Sequence, residues 1–369
     1  MNKYILFIVF VLGLFSCNTK ENIHSPLYSF NINPSEAKNT KFSDLFEGFE
    51  EIVIPTTVSI GRINKVILQN DTIIIFDGLA QQIVILNDHG DVLSKIKKQG
   101  KGPGEYTRLA DICYVSNKNL IFALDFNAHK ILVYNIDGTF VKDIKLNVTA
   151  SSIESNANGE LFLYTSGSTH LIDNKIKYNV VKINDVGNII DLLIPYVEPL
   201  DNMLTRNPFT KFGDEVFIHY GVHDTIFNIS KNMVVPCYAK DVKGALPFSK
   251  LFENPNVEIE SQQSVSKHGF MQSVLIGDNI VNFNYVNKGF VYKYYFNIKT
   301  KRYKNIKSLE DDYYQSETYF PIALRSKTFY FIIHPVDIKS QLILDKHNVR
   351  KDNIDNLNPF IVKCKLREF

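Results

Sequence analysis

Residues 73–90 (IIIFDGLAQQIVILNDHG) align without a gap on residues 121–138 (IFALDFNAHKILVYNIDG), an offset of 48 that places Asp77 on Asp125, Asn87 on Asn135 and Gly90 on Gly138. A repeat of this length restricts the chain to stacked or ring-arranged units, because one such unit cannot bury its own apolar face. Within each copy a β-branched run ends in Asp, a short loop follows, a second run ends at Asn/Asp-x-Gly, and a third run begins. That is three strands joined by two turns. The runs ahead of the copies, KVILQ at 65–69 and DICYV at 111–115, supply a fourth strand to each. Four-stranded units at this period are propeller blades.

Weaker copies continue along the chain: NVVKINDVG at 179–187 followed by IIDLLI, then repeats within 212–235, 274–303 and 328–366. They bring the count to six, and the expected fold is an all-β, six-bladed β-propeller. The run at 51–54 (EIVI) stands ahead of the first blade while the sixth unit lacks a strand. Because an unpaired sheet edge is a liability, the N-terminal strand is expected to close the last blade. Spreading roughly 320 residues over six blades gives about 53 each, and the excess falls in insertions at 166–177, 240–264, 308–319 and 335–358. Tyr 19 and Phe 27 beside Trp 0 suit strands over helices. Lys+Arg 41 against Asp+Glu 39 leaves +2, which excludes the basic field that non-specific nucleic-acid binding requires.

The segment 102–138, with its Gly-rich lead-in, its strand ending in Asp and its Lys-Ile-Leu-Val before an Asp-Gly turn, resembles the NHL repeat. Residues 41–55 (KFSDLFEGFEEIVIP) are similar to the opening of six-bladed propeller lipoproteins of Gram-negative bacteria. This resemblance implies the propeller and an outer-membrane location and carries no catalytic residues. Lys3 and a twelve-residue apolar run at 4–15 form an export signal too short to span a bilayer. Leu14-Phe15-Ser16-Cys17 resembles the bacterial lipobox, in which the cysteine thiol is acylated and becomes the mature N-terminus. Asn18, in place of the aspartate that retains such proteins in the inner membrane, implies the outer membrane. The expected organisation is a signal peptide at 1–16, a lipidated tether at 17–40 and the propeller at 41–369.

Four groups of residues invite a chemical reading. GKGPGEY at 100–106 could form an anion nest with Lys98, Lys101 and Arg108, but it lacks P-loop spacing and reads as an inter-blade turn over Tyr106. Asp77 and Asp125 recur at one repeat position, which marks them as loop caps through Asx-turns. His219, His223 and Asp224 have a metal-like composition on what reads as a hairpin, where a spacing of four does not bring ligands together. Cys113, Cys237 and Cys364 lie in β-type runs and read as small buried hydrophobes, and the sequons at Asn147 and Asn228 as ordinary turn and strand residues. No cofactor is expected.

Two functions stay open. One is a non-catalytic envelope lipoprotein that is held to the membrane by its lipid and binds a glycan, peptide or protein with the funnel and rim loops. The other is a propeller-type hydrolase or lyase with an axial metal or acid/base set. The sequence shows no acidic residue at equivalent starts of the axis-lining strands, which favours binding. Arg62 and Arg108, just before the first strands of blades one and two, are expected to meet Arg325 at one mouth and hold a carboxylate or phosphate.

Overall fold

The computed structural model describes residues 26–165, 177–196, 205, 207–220, 223–231, 233–245, 271–316, 320–339, 345 and 357–369. The export signal, Cys17 and most of three of the insertions lie outside them. The described strands form six small sheets in a ring, a six-bladed β-propeller.

The chain opens with β1 (Tyr28–Ile32), β2 (Lys38–Lys41), a one-turn helix α1 (Phe42–Leu45) and β3 (Phe46–Ile52). Blade 1 follows as β4 (Ile63–Gln69), β5 (Thr72–Asp77), β6 (Gln82–Asn87) and β7 (Val92–Ile96). Blade 2 is β8 (Leu109–Val115), β9 (Leu120–Asp125), β10 (Lys130–Asn135) and β11 (Phe140–Lys145). Blade 3 is β12 (Ser152–Ser155), β13 (Leu161–Tyr164), β14 (Tyr178–Ile183) and β15 (Ile189–Pro195). Blade 4 holds β16 (Phe209–Phe212), β17 (Glu215–Ile218), β18 (Thr225–Lys231) and β19 (Met233–Val242). Blade 5 holds β20 (Met271–Ile276), β21 (Ile280–Asn287), β22 (Phe290–Asn297) and β23 (Tyr303–Glu310). Blade 6 has β24 (Pro321–Arg325), β25 (Thr328–Ile333) and β26 (Phe360–Leu366), completed by β3.

Middle strands such as β5 (TIIIFD) and β10 (KILVYN) are apolar almost throughout, whereas the outer β7 (VLSKI) alternates. The difference follows from position: middle strands are sandwiched between two neighbouring blades, and outer strands are wet on one side. Each inter-blade layer is a separate apolar cluster. Between blades 1 and 2, for instance, Ile74, Phe76 and Ile85 pack with Ile112, Leu132 and Tyr134.

Closure occurs as expected, with β3 antiparallel to β26 and Ile52 opposite Ile361. The expected tether requires correction. Residues 28–41 are built into the ring: β1 adds parallel to β19 as a fifth strand of blade 4, and β2 adds parallel to β23 in blade 5. Tyr28, Phe30 and Ile32 alternate with polar residues, and Phe30 sits among Tyr238, Phe283, Tyr294 and Phe296 with ring centroids 4.9–6.1 Å away. The acidic, aromatic insertion at 308–319 also turns inward where described. Asp311 accepts from the amides of Tyr313, Tyr314 and Ser316, and the buried Tyr314 donates to Glu51.

The repeated Asn-x-x-Gly turns explain the period. In blades 1, 2 and 3 the glycine amide returns to the asparagine carbonyl, with Gly90, Gly138 and Gly187 at φ +95°, +86° and +91°. Each turn lies against the preceding blade: a Cβ on Gly187 would stand 2.2 Å from the Lys145 carbonyl oxygen, whereas one on Gly138 would meet nothing closer than 3.4 Å. Gly138→Ala is therefore expected to cost about 1–2 kcal/mol for the left-handed backbone alone. Gly187→Ala should cost a further 1–3 kcal/mol, roughly, for the forced displacement. Urea denaturation of the two variants measures the difference, and equal losses would refute the inter-blade contact as its source.

Candidate functional site

All six innermost strands run the same way along the axis, each exposing one edge with no strand beside it. Backbone groups on such an edge must find other partners. In blades 1 to 4 the third position of the strand is charged, as Lys65, Asp111, Glu154 and Lys211, and the first three meet backbone groups of blades 2 and 3. Lys65 Nζ stands 3.2 Å from Asp111 and 3.3 Å from Glu154, and donates to the carbonyls of Ile112 (2.7 Å) and Ile153 (3.3 Å). Asp111 accepts from the amides of Ile112 and Ile153, Glu154 from that of Ser155. Lys211 reaches the Ser155 hydroxyl at 3.4 Å, and that hydroxyl donates to the Tyr114 carbonyl.

Burial by itself would lower the Lys65 ammonium, but Asp111 and Glu154 overcome it and hold the group protonated above its ordinary value. Burial raises the Asp111 carboxyl, and Lys65 with the two amides draws it back only in part. The sequence-based expectation of no acidic residues at equivalent positions of these strands is thus corrected by Asp111 and Glu154. The repeat carried the signal: Lys65 and Asp111 are the first letters of the matched runs KVILQ and DICYV. A lysine facing an aspartate at one register was a pairing between blades.

This network borders an axial cavity of about 600 Å³ with lining from every blade, including Lys65, Tyr114, Glu154, Lys211, Asp278, Phe320 and Arg325. The expected three-arginine site does not form. Arg62 and Arg108 hold matching places because their backbone amides donate to Asp77 and Asp125. Their side chains are exposed and turn elsewhere, Arg62 to Asn64 at 3.1 Å and Arg108 to the Phe126 ring at 5.7 Å, and neither lines the cavity. Arg325 ends β24 where the other two precede their strands, and it donates to the Asn70 carbonyl just past the end of β4. A seven-residue strand, about 20 Å long, separates that point from Arg62.

The remaining candidates settle into structural roles. Asp77 also accepts from Gly61, Leu79 and Ala80, and Asp125 from Thr107, Asn127 and Ala128, which makes them the expected loop caps. The glycine nest at 100–106 is filled by the chain's own Glu105, whose carboxylate accepts from Gly102 at 2.8 Å, while Tyr106 is buried beneath. His219 Nε2 bonds the His223 carbonyl at 2.9 Å, and burial pushes its imidazole down to about 4. Asp224 pairs with Lys240. Cys113 and Cys364 are buried, their thiols pushed up by burial; Cys237 is half-buried.

A closed propeller ring with a polar network on its inner edges and a ligand-sized axial cavity beside it defines the structural class. The chain belongs to the family described as Domain of unknown function (DUF4934), whose model matches residues 27–365. It is similar to the solved structure of a candidate exported protein of Bacteroides fragilis, with a TM-score of 0.73 at 15% identity over 92% of this chain and 100% of that one. A member of the DUF4221 family from Bacteroides vulgatus is also similar, with a TM-score of 0.56 at 9% identity over 88% and 97% of the two chains. These likenesses are of fold. No curated protein matches the sequence significantly. Among the described residues no helix is long and apolar enough to cross a membrane.

The network makes a prediction of its own. Lys65→Ala would strand two buried carboxylates and two carbonyls and is expected to cost about 3–5 kcal/mol in denaturant unfolding. Adding Asp111→Asn and Glu154→Gln should recover part of that loss, because the uncompensated charge is then gone. A Lys65→Ala loss below about 1 kcal/mol, the value of an exposed pair, would contradict the role assigned to it.

Proposed function

We propose that the protein is a non-catalytic binding lipoprotein of the bacterial envelope that holds a glycan or peptide ligand at the axial cavity. The observation that carries this reading is the cavity itself. Its volume of about 600 Å³ lies within the range of small-ligand sites, roughly 300–1,000 Å³. Its wall offers cationic Lys211 and Arg325, anionic Asp278 and aromatic Tyr114 and Phe320, a mixture that suits a polar ligand. Binding is favoured over turnover because Asp111 and Glu154, the acids of the inner-strand network, are engaged by Lys65 and by backbone amides. The lipobox-like run at 14–17 supports the address, with Cys17 as the acylated residue, as does the export named for the Bacteroides fragilis relative.

A glycan and peptide screen by thermal shift on the mature protein, followed by mass spectrometry of the recovered ligand, tests the binding reading. A ligand that raises the unfolding midpoint and returns intact is expected. Lys211→Ala should weaken it about tenfold, or about 1.4 kcal/mol, with little effect on the ligand-free midpoint. Cleavage of the ligand would overturn the non-catalytic reading in favour of a hydrolase or lyase. The anchor is tested apart from this: Cys17→Ala should release the protein from membranes and abolish palmitate labelling, and a labelled, membrane-bound variant would refute lipidation at Cys17.

A further inference from the structure

The face that blade 5 turns toward blade 6 carries four polar residues in a square. Asn284 lies directly opposite Lys293 and Asn282 opposite Tyr295 in the β21–β22 ladder. Directly paired residues project to one face, their Cβ atoms about 5 Å apart. All four are buried, Lys293 at 6% exposure and the two asparagines at 1%. Among the described residues, neither polar atom of Asn284 has a hydrogen-bond partner, nor has Oδ1 of Asn282 or Oη of Tyr295. The Lys293 ammonium has no carboxylate beside it among those residues, and burial alone pushes it below its ordinary value. Its neighbour is Phe320, whose ring centroid is 5.1 Å from Nζ. Phe320 is 43% exposed and lines the axial cavity. Buried polar groups without partners are rare because they are costly, and those in native structures call for something to meet them.

We propose that this recess is the acid-binding end of the axial cavity, taking the carboxylate of a hydroxyl-bearing monocarboxylic ligand, a sugar acid, with Phe320 turning aside to admit it. The proposal rests on the axial reading of the cavity and specifies its ligand. One ammonium matches one carboxylate. Lys293 and Asn284 Nδ2 supply donors to the acid, while the carbonyl oxygens of Asn282 and Asn284 need donors in return. Hydroxyls on the ring that carries the carboxylate provide them, and an acid without hydroxyls, such as acetate, does not.

The test uses glucuronate, glucose and acetate as probes at constant ionic strength, read by thermal shift and titration calorimetry. Glucuronate is expected to raise the midpoint by several degrees at saturation, with glucose inert and acetate at least tenfold weaker. Lys293→Met and Asn284→Leu remove orphaned polar groups, so both should fold with midpoints at or above that of the parent. Both should also lose the glucuronate response. A response that survives in both variants, equal responses to acetate and glucuronate, or no response in the parent protein would overturn the proposal. Loss of glucuronate binding in Lys211→Ala but not in Lys293→Met would leave the axial cavity as a binding site and refute the recess alone.

Discussion

A ring of blades persists only if its last blade is tied to its first, and here the tie is the pairing of β3 with β26. The partners are about 300 residues apart in the chain, so the pairing closes the longest loop the fold contains. Neighbouring contacts reinforce it. Phe42 and Phe46 enter the aromatic layer with Phe329 and Phe331, and the amide of Asn358 holds the carbonyls of Ile54 and Pro55 while its oxygen accepts from Ile60. Upstream of the tie, β1 and β2 lie along the outer edges of blades 4 and 5. One continuous N-terminal segment therefore contacts three successive blades before the chain begins the first. Edges that would otherwise offer free amides and carbonyls are covered by the protein's own backbone.

The inner edges pose the opposite difficulty, since no strand can reach them. Side chains answer instead, and the Lys65 network joins blades 1, 2 and 3 through two ion pairs and two bonds to main-chain carbonyls. Taking three charges out of water is costly, and the arrangement holds because each charge also meets a backbone group with correct geometry. The functional consequence is a division of labour along the axis. Asp111 is committed to the ring, Lys65 and Glu154 both join it and line the cavity, and Lys211, Arg325 and Asp278 complete the charged lining. Lys293 belongs to neither set: it is buried between blades 5 and 6 and does not line the cavity.

The sequence by itself determined the architecture. The 48-residue repeat, the Asn-x-x-Gly turns and the unpaired run near Ile52 dictated blades, period and closure, since these rest on local alternation and on turn chemistry that each segment carries within itself. Asp77 and Asp125 were legible as caps for the same reason. The place of β2 was not legible: Lys38–Lys41 has no apolar alternation and is a strand only because β23 offers it a backbone to pair with. The axial site was decided by tertiary structure alone. Arg62, Arg108 and Arg325 look alike in sequence, yet one ends its strand where the others precede theirs, and a strand's length then separates them. Lys65 meets Asp111 and Glu154 only because the ring sets the inner strands of three blades side by side. A residue's neighbours between blades are set by the packing of segments that are distant in the chain.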